Sequence, residues 1–248
     1  SGDRAMPEEI NRVLTDQVAD RLYTTERTAS DHLKREGVDP ARVCFAGNVM
    51  IDSLLESRAR ARAAADTLRS HGVDAGLLED PQGWCLVTMH RPSNVDDAGT
   101  LSMLLDVLAE VSAMLPIVFP MHPRTRANIT RFGLGGQFDA RRIGVLPPQG
   151  YLEMVGLMSA ARLVLTDSGG VQEETTALGV PCVTLRENTE RPVTVTDGTN
   201  VLVGTDRDLI VEAVRKVLAG DGKQGRRPHL WDGQAADRTV EILVRALS

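Results

Sequence analysis

Leu163-Val164-Leu165-Thr166-Asp167-Ser168-Gly169-Gly170-Val171-Gln172-Glu173-Glu174 is the stretch on which the fold of this chain turns. An apolar, β-branched run ends at a polar pair able to cap a helix, and two glycines and a helical segment follow. That order predicts a strand, a tight turn and a helix start. Ser168 stands where it can cap the helix, while Gly169 and Gly170 let a ligand approach the backbone and leave the first-turn amides pointing outward as donors. Such a turn attracts phosphate. Glu173 and Glu174 repel phosphate, and fit beside it only if one of them accepts hydrogen bonds from neighbouring hydroxyls, as an acid does on the ribose of dinucleotides. The same residues also suit an ordinary strand-to-helix turn, so the rest of the chain has to separate the two.

On either side of this stretch, strands and helices alternate. Strands are predicted at Cys85 to Met89, Ile117 to Pro120, Ile143 to Leu146, Leu163 to Leu165, Pro181 to Leu185 and Asn200 to Val203, with helices between them. This is the pattern of a doubly wound parallel α/β sheet, Rossmann-like in character. Leu101, Leu104, Leu105, Leu108, Val111 and Leu115 form one stripe of a helix covering the sheet. Asp206 is expected to cap another, with Leu209, Ile210, Ala213, Val214 and Val217 inward. Upstream, Pro7-Glu8-Glu9 opens a helix, with acids that complement its dipole. A strand at Leu22 to Thr24, a helix stopped by Gly37 and a strand at Val43 to Ala46 follow. Met50 to Ala65 is expected to be one long helix, and Gln234 to Leu247 a closing one.

Composition narrows the class. At 248 residues the chain is long enough for one large or two modest domains, and 42% hydrophobic residues with 25% charged ones exclude a disordered chain. The net charge of -6, without a basic run, argues against nucleic acid or an anionic membrane as partner. No apolar stretch is long enough for a membrane span and no signal peptide is visible, so a soluble cytoplasmic protein is expected. Cys44, Cys85 and Cys182 sit in apolar runs without zinc-site or disulfide spacing, which predicts buried free thiols and no metal.

In an open α/β sheet the ligand lies outside the carboxyl ends of the strands. His90 and Arg91, then His122 and Arg124, Pro148 and Gln149, Ser168 to Gly170, and Arg186, Glu190 and Arg191 follow successive strands. One histidine or arginine at a strand end is ordinarily structural or solvated. Four arginines and two histidines converging on one edge of an acidic chain imply an anionic ligand. Neither a Gly-x-Gly-x-x-Gly turn nor a lysine-bearing phosphate loop is present, which removes support for NAD and for ATP hydrolysis and leaves a nucleotide sugar.

Thr88-Met89-His90-Arg91-Pro92-Ser93-Asn94-Val95-Asp96-Asp97, Met121-His122-Pro123-Arg124, the Asp167 to Glu174 turn, Thr189-Glu190-Arg191-Pro192 and Gly198-Thr199-Asn200 resemble the non-hydrolysing UDP-N-acetylglucosamine 2-epimerases in order and spacing. Pro7-Glu8-Glu9-Ile10-Asn11-Arg12 and Gly47-Asn48-Val49-Met50-Ile51-Asp52 extend the resemblance over essentially the whole chain. It implies a glycosyltransferase-B-like fold of two Rossmann-like domains. Residues 1–52 would end the first, 53–234 would form the second, UDP-binding one, and 235–248 the closing helix. The implied reaction interconverts UDP-N-acetylglucosamine and UDP-N-acetylmannosamine without cofactor, by elimination and re-addition of UDP at carbon 1 with proton exchange at carbon 2. The implied setting is a cytoplasmic homodimer serving cell-envelope polysaccharide synthesis.

By the same resemblance Ser168, Gly169, Gly170 and Arg191 hold the diphosphate, Glu174 the ribose hydroxyls, and Gln149 and Met154 lie around the uracil. Arg91 and His122 complete the substrate side, and His90 and Glu8 match an active-site histidine and carboxylate. The family's chain normally begins with about a hundred further residues, one domain's worth, which carry a basic contact and two acids of the site. Val193 also stands where Glu commonly follows Glu-Arg-Pro. A fragment is therefore expected, supplying one wall of a two-domain cleft and binding UDP without efficient turnover by itself. A hydrolysing relative, a glycosyltransferase of the same fold, and a non-catalytic UDP-sugar-binding fragment are the alternatives.

Overall fold

The computed structural model describes the backbone of residues 4, 7–138 and 142–248, and side chains at 4, 9–136 and 142–248. The chain begins with α1 (Pro7–Val18), β1 (Leu22–Thr24), α2 (Arg27–Arg35) and β2 (Val43–Phe45), and β1 pairs in parallel with β2. Next come α3 (Val49–Arg58), α4 (Ala64–Ser70), β3 (Cys85–Thr88), α5 (Pro92–Val95), α6 (Ala98–Met114), β4 (Ile117–Pro120), α7 (Pro123–Arg131), β5 (Ile143–Leu146) and α8 (Tyr151–Ala160). The remainder is β6 (Leu163–Thr166), α9 (Gly169–Leu178), β7 (Cys182–Thr184), α10 (Pro192–Thr196), β8 (Asn200–Leu202), α11 (Arg207–Ala219) and α12 (Ala235–Leu247). Strands β3 to β8 form one parallel sheet in the spatial order β5-β4-β3-β6-β7-β8. The expected doubly wound parallel architecture is present.

The strands read as continuous apolar runs because both faces of the sheet are covered. Cys85 and Val87 of β3 point to one face, with Phe119, Leu165 and the buried stripe of α6; Leu86 points to the other, with Val118, Val164, Leu157 and Leu68. The side chain of Asp97 accepts the Thr100 amide at 2.8 Å to start α6. Asp206 caps α11 as expected, by accepting the amide of Leu209 at 3.0 Å. Leu209 itself is 49% exposed, and Val211 is buried with Ile210, Val214 and Val217 in its place. The buried stripe runs through Ile210, Val211, Val214 and Val217, which puts Leu209 on its flank.

Met50 to Ala65 is two helices, α3 and α4, joined by an irregular segment. The amide of Arg62 donates to the carbonyl of Leu152 at 3.2 Å, and the Arg62 carbonyl occupies the space 1.8 Å from where a Cβ on Gly156 would stand. The chain breaks its helix to lie directly on α8, and only glycine at 156 admits it. The expected boundary after residue 52 falls inside α3, whose Ile51 and Leu54 pack with Val155, Ala177 and Trp231. Among the described residues no helix is long and apolar enough to cross a membrane.

β3 has β4 on one side and β6 on the other, so the chain leaves β3 in one direction and returns across it to build β6, β7 and β8. The crevice that such a reversal opens at the carboxyl ends of β3 and β6 is where an α/β sheet receives its ligand.

Candidate functional site

One buried side chain ties the two strand ends at the reversal together. Asp167 has no exposed surface. Its Oδ2 accepts the backbone amides of His90 at 2.9 Å and Arg91 at 2.8 Å and the Nδ2 of Asn94 at 3.2 Å, while Oδ1 lies 2.9 Å from Nδ1 of His90. A carboxylate survives burial only when donors surround it in this way. The result fixes residues 90 and 91 beside the start of α9. With 40% of the His90 side chain exposed, one edge of the ring rests on Asp167 and the other faces the crevice. The His122 ring stands 5.4 Å away, and its Nδ1 accepts the Arg124 amide at the first turn of α7.

Ser168 occupies the cap position of α9 in extended conformation, as its sequence position predicts, but its hydroxyl makes no capping bond. Its amide donates instead to Oγ1 of Thr166 at 3.0 Å. By helix geometry the amides of Gly169, Gly170 and Val171 have no carbonyl of the helix to reach, and they carry its positive dipole end. A Cβ on Gly169 would stand 2.7 Å from Oε1 of Glu190, whereas one on Gly170 would meet only Cε of Met50 at 3.5 Å. The turn is thus tight on one side and open on the other.

The four arginines at this edge do not form a bare positive patch; each is matched by a carboxylate. Arg124 pairs with Asp96, Arg191 with Glu173 at 3.2 Å, and Arg91 and Arg186 both with Glu190, at 3.2 and 2.8 Å. Burial raises the Glu190 carboxyl, but the hydrogen bond from Arg186, with the charges of Arg186 and Arg91, overcomes this and brings it down to about 2. At Glu173 the balance is reversed: burial pushes it up to about 6 against Arg191 and the hydrogen bond from Nδ2 of Asn48. The expectation of an anion site built on net positive charge is therefore corrected. What the edge offers an anion is the uncommitted helix terminus, with arginines held nearby in exchangeable pairs.

Glu174, buried and raised by that burial, accepts the hydroxyl of Tyr151 at 3.0 Å. Near it, at the start of α8, Gln149 donates to the Pro147 carbonyl at 2.7 Å and contacts His71, and Met154 packs half-buried against the core. Glu174, Gln149 and Met154 thus lie on the α8 side of α9, away from His90. The side chain of Glu8 lies outside the described residues.

Several quoted motif residues work within the protein. Oε1 of Gln172 accepts Oγ1 of Thr189 at 2.6 Å and Nδ2 of Asn200 at 3.1 Å, and Asn200 also bonds Thr184 and Thr194. This network fastens the segment carrying Glu190 and Arg191 onto α9. Sequence reasoning assigned no role to Asp167, Asn94, Tyr151 or Asn48. The signal for Asp167 was in view: an acid right at the end of a strand that is apolar up to its last residue has little room to reach water. Among the described residues, no group of three His, Cys, Asp or Glu side chains is placed to hold a metal.

A helix terminus at the reversal of a parallel sheet, with an acid one turn along it and a histidine held opposite, places the chain in the doubly wound α/β class, which receives its ligands at such a reversal. The family model for UDP-N-acetylglucosamine 2-epimerase matches residues 1–244, and the chain belongs to that family. It is 42% identical over 247 residues to a UDP-2,3-diacetamido-2,3-dideoxy-D-glucuronate 2-epimerase of Pseudomonas aeruginosa, covering 97% of this chain and 64% of that one. It is 37% identical over 246 residues to the UDP-N-acetylglucosamine 2-epimerase of Methanocaldococcus jannaschii, covering 98% and 66%. The crystal structure of the M. jannaschii enzyme with UDP-N-acetylglucosamine and UDP superimposes with a TM-score of 0.82 at 36% identity, again over 98% of this chain and 66% of that one. The fold is accordingly glycosyltransferase-B-like, and the chain spans 64 to 66% of the length of these relatives.

Proposed function

We propose that this chain provides the UDP-holding wall and His90 of a non-hydrolysing UDP-N-acetylglucosamine 2-epimerase. It would act in the cytoplasm as a homodimer, with UDP and the UDP-sugar as its ligands and no nucleic acid or membrane partner. Residues 1–52 belong to the first domain in this reading, and residues 53–234 to the UDP-binding one. The observation that carries it is the junction at Asp167, which sets a half-exposed imidazole next to the first-turn amides of Gly169, Gly170 and Val171. Epimerisation by elimination needs those two elements side by side: a group that moves a proton at carbon 2, and donors that stabilise the diphosphate as it leaves carbon 1. The amides at the head of α9, with Arg191 exchanging from Glu173, receive the diphosphate. Glu174 turns from Tyr151 to the ribose hydroxyls, and Gln149 and Met154 border the base. His122 and Arg91 bound the sugar side. His90 and Glu8 are the groups of this chain that move the proton; re-addition of UDP after delivery to the opposite face gives UDP-N-acetylmannosamine.

Calorimetry with UDP tests the binding half. Ser168→Ala, Glu174→Ala and Arg191→Ala each remove a hydrogen bond in which one partner is charged, about 1.5 to 3 kcal/mol, or about ten- to a hundredfold in affinity. Unchanged affinity in all three variants rejects the assignment. The 42% identity to an enzyme acting on a diacetamido glucuronate favours a second sugar. Deuterium incorporation at carbon 2 in deuterium oxide, run with both UDP-sugars, tells the two substrates apart.

A further inference from the structure

We infer that Asp167 is a positioning residue that sets the tautomer of His90, holding the ring hydrogen on Nδ1 so that the lone pair of Nε2 faces the crevice. This rests on the proposed epimerase reading only for its consequence in turnover; the tautomer itself follows from the contacts. Three partners of the carboxylate, the amides of His90 and Arg91 and the Nδ2 of Asn94, can only donate. Nδ1 of His90 stands 2.9 Å from the anionic Oδ1, where a bare ring lone pair would be set against a carboxylate oxygen; charge therefore favours the ring hydrogen on Nδ1. A neutral imidazole carries one ring hydrogen, and with it on Nδ1 the far nitrogen is a bare acceptor. Asp167 has no exposed surface, whereas His90 is 40% exposed, so that acceptor is the ring nitrogen turned toward the open side. Nε2 is thereby readied to take a proton from a substrate carbon or to return one.

The division of labour between the two oxygens predicts what a single-atom change does. Oδ2 receives Arg91 N, Asn94 Nδ2 and the shorter bond from His90 N, whereas Oδ1 lies against Nδ1 and takes the longer 3.1 Å approach of His90 N. In Asp167→Asn the remaining oxygen takes the Oδ2 place, because an amide nitrogen there would face three N–H groups. The NH2 then occupies the Oδ1 place and donates to Nδ1, which drives the ring hydrogen to Nε2. Backbone anchoring through Oδ2 is retained, so a purely structural role for Asp167 predicts no change at the ring.

The experiment is long-range proton-nitrogen NMR on the full chain at alkaline pH, with the His90 signals among the five histidines assigned through His90→Gln. The expected result is a protonated Nδ1 in the unaltered chain and a protonated Nε2 in Asp167→Asn. A protonated Nε2 in the unaltered chain overturns the inference. So does a folded Asp167→Asn that keeps its hydrogen on Nδ1. If Asp167→Asn does not fold, the unaltered chain decides the matter by itself. Carbon 2 exchange with UDP-N-acetylglucosamine is the second readout: Asp167→Asn should lower it by about 10²- to 10⁴-fold, the usual worth of a positioned acid or base, with UDP affinity unchanged within about twofold. Absence of exchange in the unaltered chain is the outcome expected of one wall of a two-domain cleft; the ring-nitrogen result then decides the inference by itself, and UDP calorimetry decides the binding half of the epimerase proposal.

Discussion

Gly170→Ala separates a glycine kept for local geometry from one kept for a ligand. Gly170 is the second residue of α9, and a methyl there would meet only Cε of Met50, at an ordinary van der Waals distance of 3.5 Å. Its φ is not positive, so alanine adopts the same backbone without strain. Replacing a helical glycine with alanine narrows the unfolded ensemble, which stabilises by about 0.4 to 1 kcal/mol where the conformation is compatible. For the free chain the substitution is therefore expected to raise the urea midpoint slightly. A diphosphate seated on the amides of Gly169 and Gly170 would be lifted by the same methyl, losing one charge-assisted contact of about 1.5 to 3 kcal/mol. Calorimetry with UDP should then show affinity about ten- to a hundredfold weaker. A more stable protein that binds UDP less well is the signature of a ligand turn. A variant that is more stable and binds UDP within about twofold of the original would refute the placement of the diphosphate on this helix.

Three further outcomes concern stability. Gly156→Ala should destabilise by about 1 to 3 kcal/mol in urea unfolding, because its methyl would collide with the Arg62 carbonyl at 1.8 Å and the segment between α3 and α4 must lift; a neutral result would show that the segment does not lie on α8. Glu190, lowered from 4.5 to about 2, stabilises fully above pH 4.5 and loses that contribution as pH falls through about 2. At about 1.4 kcal/mol per unit this is worth at most about 3 kcal/mol, and Glu190→Gln should flatten the stability profile in that acid window. Glu173, raised from 4.5 to about 6, has the opposite sign: its contribution is complete below pH 4.5 and disappears as pH rises through about 6. Glu173→Gln should remove a fall of about 2 kcal/mol across that interval; an unchanged fall in urea midpoints would mean that another group titrates there.

Features that depend on local pattern were legible in the sequence, and features set by close approach between distant segments were not. The strands of the six-stranded sheet could be placed because each is buried on both faces and so announces itself as a short apolar run between turn residues. The order of those strands, with the reversal between β3 and β6, was not legible, because alternation fixes that the sheet is parallel but not which strands are neighbours. The break between α3 and α4 was invisible, because residues 59 to 63 are rich in alanine and arginine, good helix formers; what opens the helix there is the missing side chain at Gly156, far along the chain. The exposure of Leu209 was missed because Leu209 and Val211 flank Ile210 on opposite sides, and periodicity alone does not say which flank the sheet and α6 cover. Among the candidate site residues, the arginines were found but their partners were not. Arg91 meets Glu190 and Arg191 meets Glu173 only once the loop after β7 folds back over α9.

That pairing changes how the site must work. Around the turn, Arg91 and Arg186 share Glu190 and Arg191 faces Glu173, so much of the positive charge is already matched before any ligand arrives. A diphosphate cannot be drawn in by a surplus of positive charge there; it has to displace a carboxylate from an arginine, or use donors that no carboxylate occupies. The amides at the head of α9 are such donors, and they are fixed in place by a helix whose residues from Gln172 to Ala177 are buried. The arginine pairs are not equivalent in this exchange. Glu190 is held by two guanidinium groups and kept strongly acidic, so Arg91 and Arg186 are costly to release. Glu173 is the weaker competitor: burial has raised it to about 6, and on taking a proton it loosens its hold on the half-exposed Arg191. Of the three arginines, Arg191 is the one whose partner is raised toward neutrality, to about 6, and under the proposed function that makes it the arginine to follow the amides onto an incoming diphosphate.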